Sequence, residues 1–222
     1  RKKIKRKVAQ EYKGEVKPRI VAIIPAKNTL KQVKNVCFQK INDKFLIDYT
    51  LQEVKKIKVF DKILITSDDK TVLNYVKKLY PNILTFLRKK ELSLSHTKLH
   101  EVIKNAVNFL EKDNNFYADI IVLLNVHTPL RTAQDIREAI DTLFIFNVDS
   151  VTSVYEDYDI HFVHGKNGLE PINKGMLNLL RLEREALYVD NGAIKILWRD
   201  VLSGDNLYGK KFGHIVMPKK RS

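Results

Sequence analysis

Four short β-branched runs, Ile20–Ile24, Lys62–Thr66, Ile120–Leu124 and Ser150–Val154, alternate along this chain with four longer segments of helical period. Those segments are Phe45–Lys56, Lys70–Leu79, Lys98–Glu111 and Ala133–Phe146, each repeating apolar residues every three or four positions. In the third, Val102, Ala106, Val107 and Leu110 make one apolar stripe with charges opposite, the signature of a helix lying on a core. The β-branched runs are almost continuously apolar, as in strands covered on both faces. Strand–helix–strand alternation then predicts an α/β fold: a mostly parallel sheet with helices on both faces.

Glycine sharpens the constraint. The chain has 8 glycines, and none lies between Gly14 and Gly165. That excludes both the P-loop and the dinucleotide fingerprint, which need glycines where the backbone approaches a phosphate. Beyond Val154 the texture changes to glycines, aromatics and charges. Residues 155–190 therefore read as an arm leaving the sheet, with a hairpin (His161–Val163 and Gly168–Pro171) and a short helix. The chain returns to the sheet at Gly192–Leu197. The expected organisation is a basic tail over residues 1–18 and one domain over 19–222, with 155–190 as its inserted arm.

At 222 residues and 44% apolar, the chain can bury a sizeable core, which excludes wholesale disorder. No run is long and apolar enough for a membrane helix, and the opening Arg-Lys-Lys-Ile-Lys-Arg-Lys lacks the apolar segment of a signal peptide. A single cysteine, Cys37, excludes a disulfide framework and multi-cysteine metal sites, and points to the cytoplasm. The net charge of +14 invites a nucleic-acid reading, but its distribution argues against one. Residues 1–18 carry eight Lys/Arg against two Glu, and 209–222 carry five Lys/Arg and no acid. The excess sits in two ends and not along a groove interleaved with aromatics. The histidine pairs His96/His100 and His161/His164 have helical or turn spacing without a carboxylate or thiolate partner in register, and read as ordinary surface residues.

In open parallel sheets, ligands bind beyond the carboxyl ends of the strands. Three polar segments occupy those places. After the first run comes Pro25-Ala26-Lys27-Asn28-Thr29-Leu30-Lys31-Gln32-Val33-Lys34-Asn35, whose three lysines suit a polyphosphate; a solvated basic loop accounts for them equally. Ser67-Asp68-Asp69 follows the second and reads as readily as a helix cap. Asn125-Val126-His127-Thr128-Pro129-Leu130-Arg131-Thr132 follows the third, a dense polar turn before a helix.

The order of these pieces resembles one family. IVAIIPAKN, LIDYTL, FDKILITSDD, FLRKKEL, VLLNVHTPLRTAQDIREA, DSVTSV, DNGAI and IVMPKKRS follow in sequence from Ile20 to Ser222 as they do in the CMP-sialic acid synthetases, or acylneuraminate cytidylyltransferases. That resemblance implies a Rossmann-like nucleotidyltransferase with a small dimerisation arm. By implication it transfers CMP from CTP to a 2-keto sugar acid with release of pyrophosphate. It implies a homodimer and a requirement for magnesium. In the family two aspartates hold the metal, in a run whose opening Met217–Ser222 matches; no residue of this chain is assigned to it.

The resemblance also assigns a site. Ala26, Lys27, Lys31, Lys34, Asn35 and Arg88 form the nucleotide half, with Lys34 and Lys27 as the catalytic charges on the phosphates and Arg88 at the cytosine. Lys27 stands where the family has Arg, keeping the charge but losing the bidentate fork. Asn125, His127, Arg181, Asn191 and Tyr208 form the acceptor half, and this half departs further. Asn125 replaces a Gln, His127 a Thr and Lys195 a Tyr; Val189 stands where an Arg is common, Asn178 where an acid is, and Val163 near an expected Lys. The lost Arg and Lys would pair a keto acid's carboxylate, so either the acceptor differs from sialic acid or the acceptor site no longer works. The second case makes the chain a non-catalytic nucleotide-binding or protein-interaction domain of the same fold within a larger protein.

Overall fold

In a computed structural model, residues 17–30, 33–94 and 96–222 are described. Eleven strands and four α-helices follow in the order β1 (Ile20–Pro25), β2 (Lys40–Ile41), β3 (Lys44–Phe45), α1 (Leu46–Lys55), β4 (Lys62–Ser67), α2 (Lys70–Leu79), β5 (Leu84–Leu87), α3 (Leu99–Asp113), β6 (Ile120–Leu124), α4 (Ala133–Ile145), β7 (Ser150–Asp157), β8 (Phe162–Gly165), β9 (Gly168–Pro171), β10 (Leu187–Trp198) and β11 (Phe212–Val216). Seven strands form one sheet in the order β11-β7-β10-β6-β1-β4-β5. All neighbours pair in parallel except β10, which is antiparallel to both β6 and β7.

The expected α/β layout is what forms. The central strands β1 and β6 are the most apolar, and Val21, Ala22, Ile23, Ile120, Ile121 and Val122 are fully enclosed. Helix α3 lies against β1, and α4 against β7, β10 and β11, where Phe144 meets Trp198 edge to face. Two helices open on side-chain caps. Asp69 accepts the Thr71 N–H at α2, and Thr132 and Asp135 exchange hydrogen bonds as a capping box at α4.

The differences from expectation have local causes. Strands β5 and β11 lie at the two sheet edges, half-exposed, so neither shows a buried apolar run. The two-residue connection Asn42-Asp43 between β2 and β3 has both φ angles positive (47° and 62°), as a type I′ hairpin requires. Strand β10 starts at Leu187, ahead of the expected return at Gly192. The chain leaves β7 at its carboxyl end and re-enters at that same end, which forces β10 to run backwards. Its register shifts between Asp190 and Lys195, where Gly192 has φ 66° and a side chain would be strained.

In the arm, the hairpin forms as β8 and β9, but the short helix is replaced by two three-residue 3-10 turns, Lys174–Met176 and Arg181–Glu183. His100 is buried, not on the surface, with its Nε2 3.2 Å from the Leu202 carbonyl. His161 does have a carboxylate in register: its Nε2 lies 3.5 Å from Asp157.

Candidate active site

The carboxyl edge of the sheet gathers most of the residues that the sequence singles out. At the β1 exit Ala26 is fully enclosed and its N–H donates to Thr66 O at 2.8 Å, joining β1 to β4. Asn28, buried, organises the loop that follows. Its Oδ1 accepts the Cys37 N–H, its Nδ2 donates to Asp69 Oδ2 at 2.6 Å and Asn35 Oδ1 at 3.3 Å, and its carbonyl accepts the Val36 N–H. Asn35 takes a left-handed conformation (φ 54°), which an Asn tolerates better than most residues, and turns the chain back onto this hub. Lys27 is half-buried at the base of the loop, and Lys34 projects into solvent beside Asn35. Lys31 lies outside the described residues. Burial pushes the Asp69 carboxyl upward, but the Asn28 amide and the first N–H groups of α2 outweigh it and hold the group below its ordinary value. The loop is thus anchored on a carboxylate that stays charged.

Arg88 follows β5 and is buried, with each of its three nitrogens partnered. Nη1 donates to Thr66 O at 2.7 Å, Nε to Ser93 Oγ at 2.7 Å, and Nη2 to Asp68 Oδ1 at 3.4 Å. Its donors brace the exits of β4 and β5 and do not project from them. The motif gives Arg88 its position but carries no signal for that inward turn.

The β6 exit is built on a residue that sequence reasoning passed over. Arg131 is 2% exposed, and its guanidinium donates to Asn125 O (2.7 Å), Thr128 O (2.6 Å) and Thr50 Oγ1 (2.6 Å), tying the turn to α1. In a single sequence a buried Arg looks like any surface charge, so nothing marked it. Within the turn, Asn125 Oδ1 accepts the His127 N–H at 3.2 Å, and Thr128 Oγ1 reaches Asn125 O and the Gly192 carbonyl of β10. His127 is half-buried, and its Nδ1 is enclosed without a hydrogen-bond partner. Burial, and then the nearby Lys27 charge, hold its imidazole below the ordinary value.

On β10, Asn191 Oδ1 accepts from Ser153 Oγ at 2.6 Å, and its Nδ2 donates to Ser222 Oγ at 2.9 Å. Asp190 takes the Tyr208 hydroxyl and Lys195 Nζ, both at 3.1 Å, and the Lys195 ammonium lies 3.8 Å from the Tyr208 ring centre. Asn125 and His127 share the β6 turn, which meets β10 at the Thr128–Gly192 contact next to Asn191 in the chain, and Tyr208 joins the Asp190 cluster. Arg181 does not join them: it is exposed in the arm and pairs with Asp159 at 3.1 Å. The C-terminal segment closes this side, with Arg221 forking onto Asp135 at 2.5 and 2.9 Å. A cavity of about 450 Å³, lined by Lys56, Ile57, Lys58, Val59, Arg137, Ile140 and Asp141, opens at the opposite, amino edge and contains none of the candidate residues.

Among the described residues no group of three or more His, Cys, Asp or Glu side chains comes together as a cation site. They do not by themselves supply the magnesium site that the resemblance implies. No helix among them is long and apolar enough to cross a membrane.

Comparison with known proteins points to one family and one fold. A family described as Cytidylyltransferase matches residues 21–196. The post-translational flagellin modification protein B of Campylobacter coli is 27% identical over 202 residues, 89% of this chain and 86% of its own. A pseudaminic acid cytidylyltransferase of Campylobacter jejuni is 27% identical over 119 residues, 54% of this chain and 50% of its own. This chain thus matches only half the length of that relative. A CMP:2-keto-3-deoxy-manno-octonic acid synthetase solved with CTP shares the fold, with a TM-score of 0.66 at 13% identity over 90% of each chain. With the match covering most of the sheet and both lysine-bearing and asparagine-bearing strand exits, the chain belongs to the cytidylyltransferase family of nucleotidyltransferases.

Proposed function

We propose that this chain transfers the cytidylyl group of CTP to a hydroxyl of a 2-keto sugar acid. The observation that carries the reading is the Asn28-centred loop at the β1 exit, which presents Lys27 and Lys34 on the carboxyl edge within the stretch matched to the family. The acceptor hydroxyl gives its proton to solvent as its oxygen bonds to the α-phosphorus and the bond to pyrophosphate breaks, the leaving group departing with the electron pair. Little covalent chemistry falls to the protein, so rate depends on positioning and on cations that meet the growing negative charge. Lys34 and Lys27 serve that purpose, Asn35 meets the nucleoside, and Lys31 stands in reserve on the same loop. Arg88 supports the base-binding wall from behind.

Asn125, Asn191 and Tyr208 line the acceptor side. A keto sugar acid is the acceptor class suggested by the names of the pseudaminic acid and 2-keto-3-deoxy-manno-octonic acid enzymes. Magnesium, where bound, would share the charge of the triphosphate; no cluster among the described side chains would hold it. The arm exposes Phe162, Val163, Leu169, Ile172, Leu180 and Leu182, an apolar surface suited to a two-fold dimer. Tyr155 and Tyr158, by contrast, are half-buried and contribute less to it. A cytoplasmic setting suits the buried free thiol of Cys37.

The test is pyrophosphate release from CTP across a panel of eight- and nine-carbon 2-keto sugar acids, with the CMP-sugar followed by phosphorus NMR. Turnover with one or more members is expected, sialic acid being a poor acceptor. CTP binding without release for any of them would reduce the chain to a nucleotide-binding module.

A further inference from the structure

His127 occupies an unusual position for a titratable group. It lies in the turn after β6, and that turn is clamped from below by the enclosed Arg131 guanidinium and from within by its own N–H bond to Asn125 Oδ1. The backbone that carries the ring is thus held on both sides. Its Nδ1 is enclosed and has no partner. A buried N–H without an acceptor gives up its hydration for nothing, and an orphaned donor is rarer in proteins than an orphaned lone pair. The cheaper arrangement leaves the lone pair on Nδ1 and the proton on Nε2.

A charged imidazolium fares worse still. It would place an unpaired N–H in the protein and a second cation near Lys27, the charged group that bears on the ring. Both effects keep His127 neutral at physiological pH. Strands β1 and β6 pair in parallel with Ile23 opposite Leu123, so Lys27 and His127 follow neighbouring strand ends on the same edge, and Lys27 belongs to the phosphate loop at the β1 exit and not to the arm. His127 therefore stands on the boundary between the two halves of the site, on its phosphate side.

We propose that His127, as the neutral Nε2–H tautomer, donates a hydrogen bond to a non-bridging oxygen of the α-phosphoryl group while the acceptor oxygen attacks. The inference rests on the cytidylyl-transfer reading above. It makes His127 a directional donor to the reacting phosphate, where the sequence resemblance had grouped it with the acceptor residues. Lys27 supplies charge without direction, and His127 supplies direction without charge. No proton leaves the ring in this step.

The experiment uses the full chain and two readouts. Imidazole nitrogen NMR of the ligand-free protein should show His127 with Nδ1 unprotonated and Nε2 protonated at neutral pH. CTP should then shift the Nε2 resonance. In turnover, His127→Gln places an amide N–H near the position of Nε2, whereas His127→Asn places one near Nδ1. The Asn variant should lose about 10²-fold in kcat with little change in either KM, and the Gln variant should recover most of that loss.

Nδ1 protonation, an imidazolium near neutral pH, or an Nε2 resonance unmoved by CTP would each overturn the proposal. So would equal impairment of the Gln and Asn variants, or a loss confined to the acceptor KM. If no acceptor turns over at all, the functional reading fails by itself, and the nitrogen spectrum with CTP still decides the role of His127.

Discussion

Replacing Arg131 by Met tests whether one buried guanidinium holds the acceptor side of the site together. The substitution keeps a long side chain but removes donors from Asn125 O, Thr128 O and Thr50 Oγ1. Each enclosed acceptor left without a partner costs about 1–3 kcal/mol. Against that, the charge in Arg131 is itself strained: burial lowers its affinity for the proton to a pKa of about 9, Glu53 offsetting only part, and its Nε has no partner. Removing such a group returns desolvation energy, and buried ion groups have been replaced by apolar ones at little net cost.

The net loss should therefore be about 2–4 kcal/mol, less than the sum of three broken bonds. At this chain length that is a fall in Tm of roughly 4–16 °C. Thermal and urea unfolding measure it, and a cycle with Thr50→Val isolates the Nη2 bond. A loss below about 0.5 kcal/mol, typical of surface substitutions, would show that the β6 turn holds its shape without the guanidinium.

Three further outcomes follow from other residues. Asp135 is pushed up by burial but held below its ordinary value overall by Arg221 and the cap N–H groups. A depressed carboxyl stabilises above its unfolded pKa of about 3.9 and loses that contribution as pH falls through the folded value. The stability gap between wild type and Arg221→Ala should hold at neutral pH and narrow as pH falls below the unfolded pKa of about 3.9; a gap unchanged in strong acid would refute the pairing. CTP with magnesium should raise Tm more than ATP, GTP or UTP, by about 2.7 kcal/mol of added stability at 100 times its Kd, and equal shifts would refute the cytidine preference. Light scattering at tens of micromolar (on the order of 10⁻⁵ M, where a micromolar dimer is populated) should give twice the chain mass, and a monomer would refute the arm as an interface.

How much of this was legible depended on whether one residue's environment is set locally. The apolar runs of β1 and β6 and the stripe of α3 announce themselves, since covered strands and half-buried helices impose periods on sequence. Strands β5 and β11 do not, because an edge position relaxes the demand for apolar residues. The direction of β10 was hidden because it follows from where the arm leaves and rejoins the sheet. In the site, Lys27 and Lys34 were legible as loop cations at a strand exit. The roles of Asn28, Arg131 and Asp190 were not, since each depends on partners up to 81 positions away. Arg88 was legible as a position and misleading as an orientation.

The most direct test of cytidylyl transfer at this edge is the turnover of Lys34→Ala in a protein that forms CMP-sugar. Lys34 is exposed beside Asn35, so its loss should leave the fold and most CTP affinity intact. If its ammonium meets charge that builds on the departing pyrophosphate, kcat should fall by about 10²–10³-fold while the CTP Kd changes far less. Equal losses in kcat/KM and in CTP affinity would make Lys34 a ground-state contact. Unchanged turnover would contradict the account and shift the phosphate contact to another lysine of the loop, with Lys31 the next to replace.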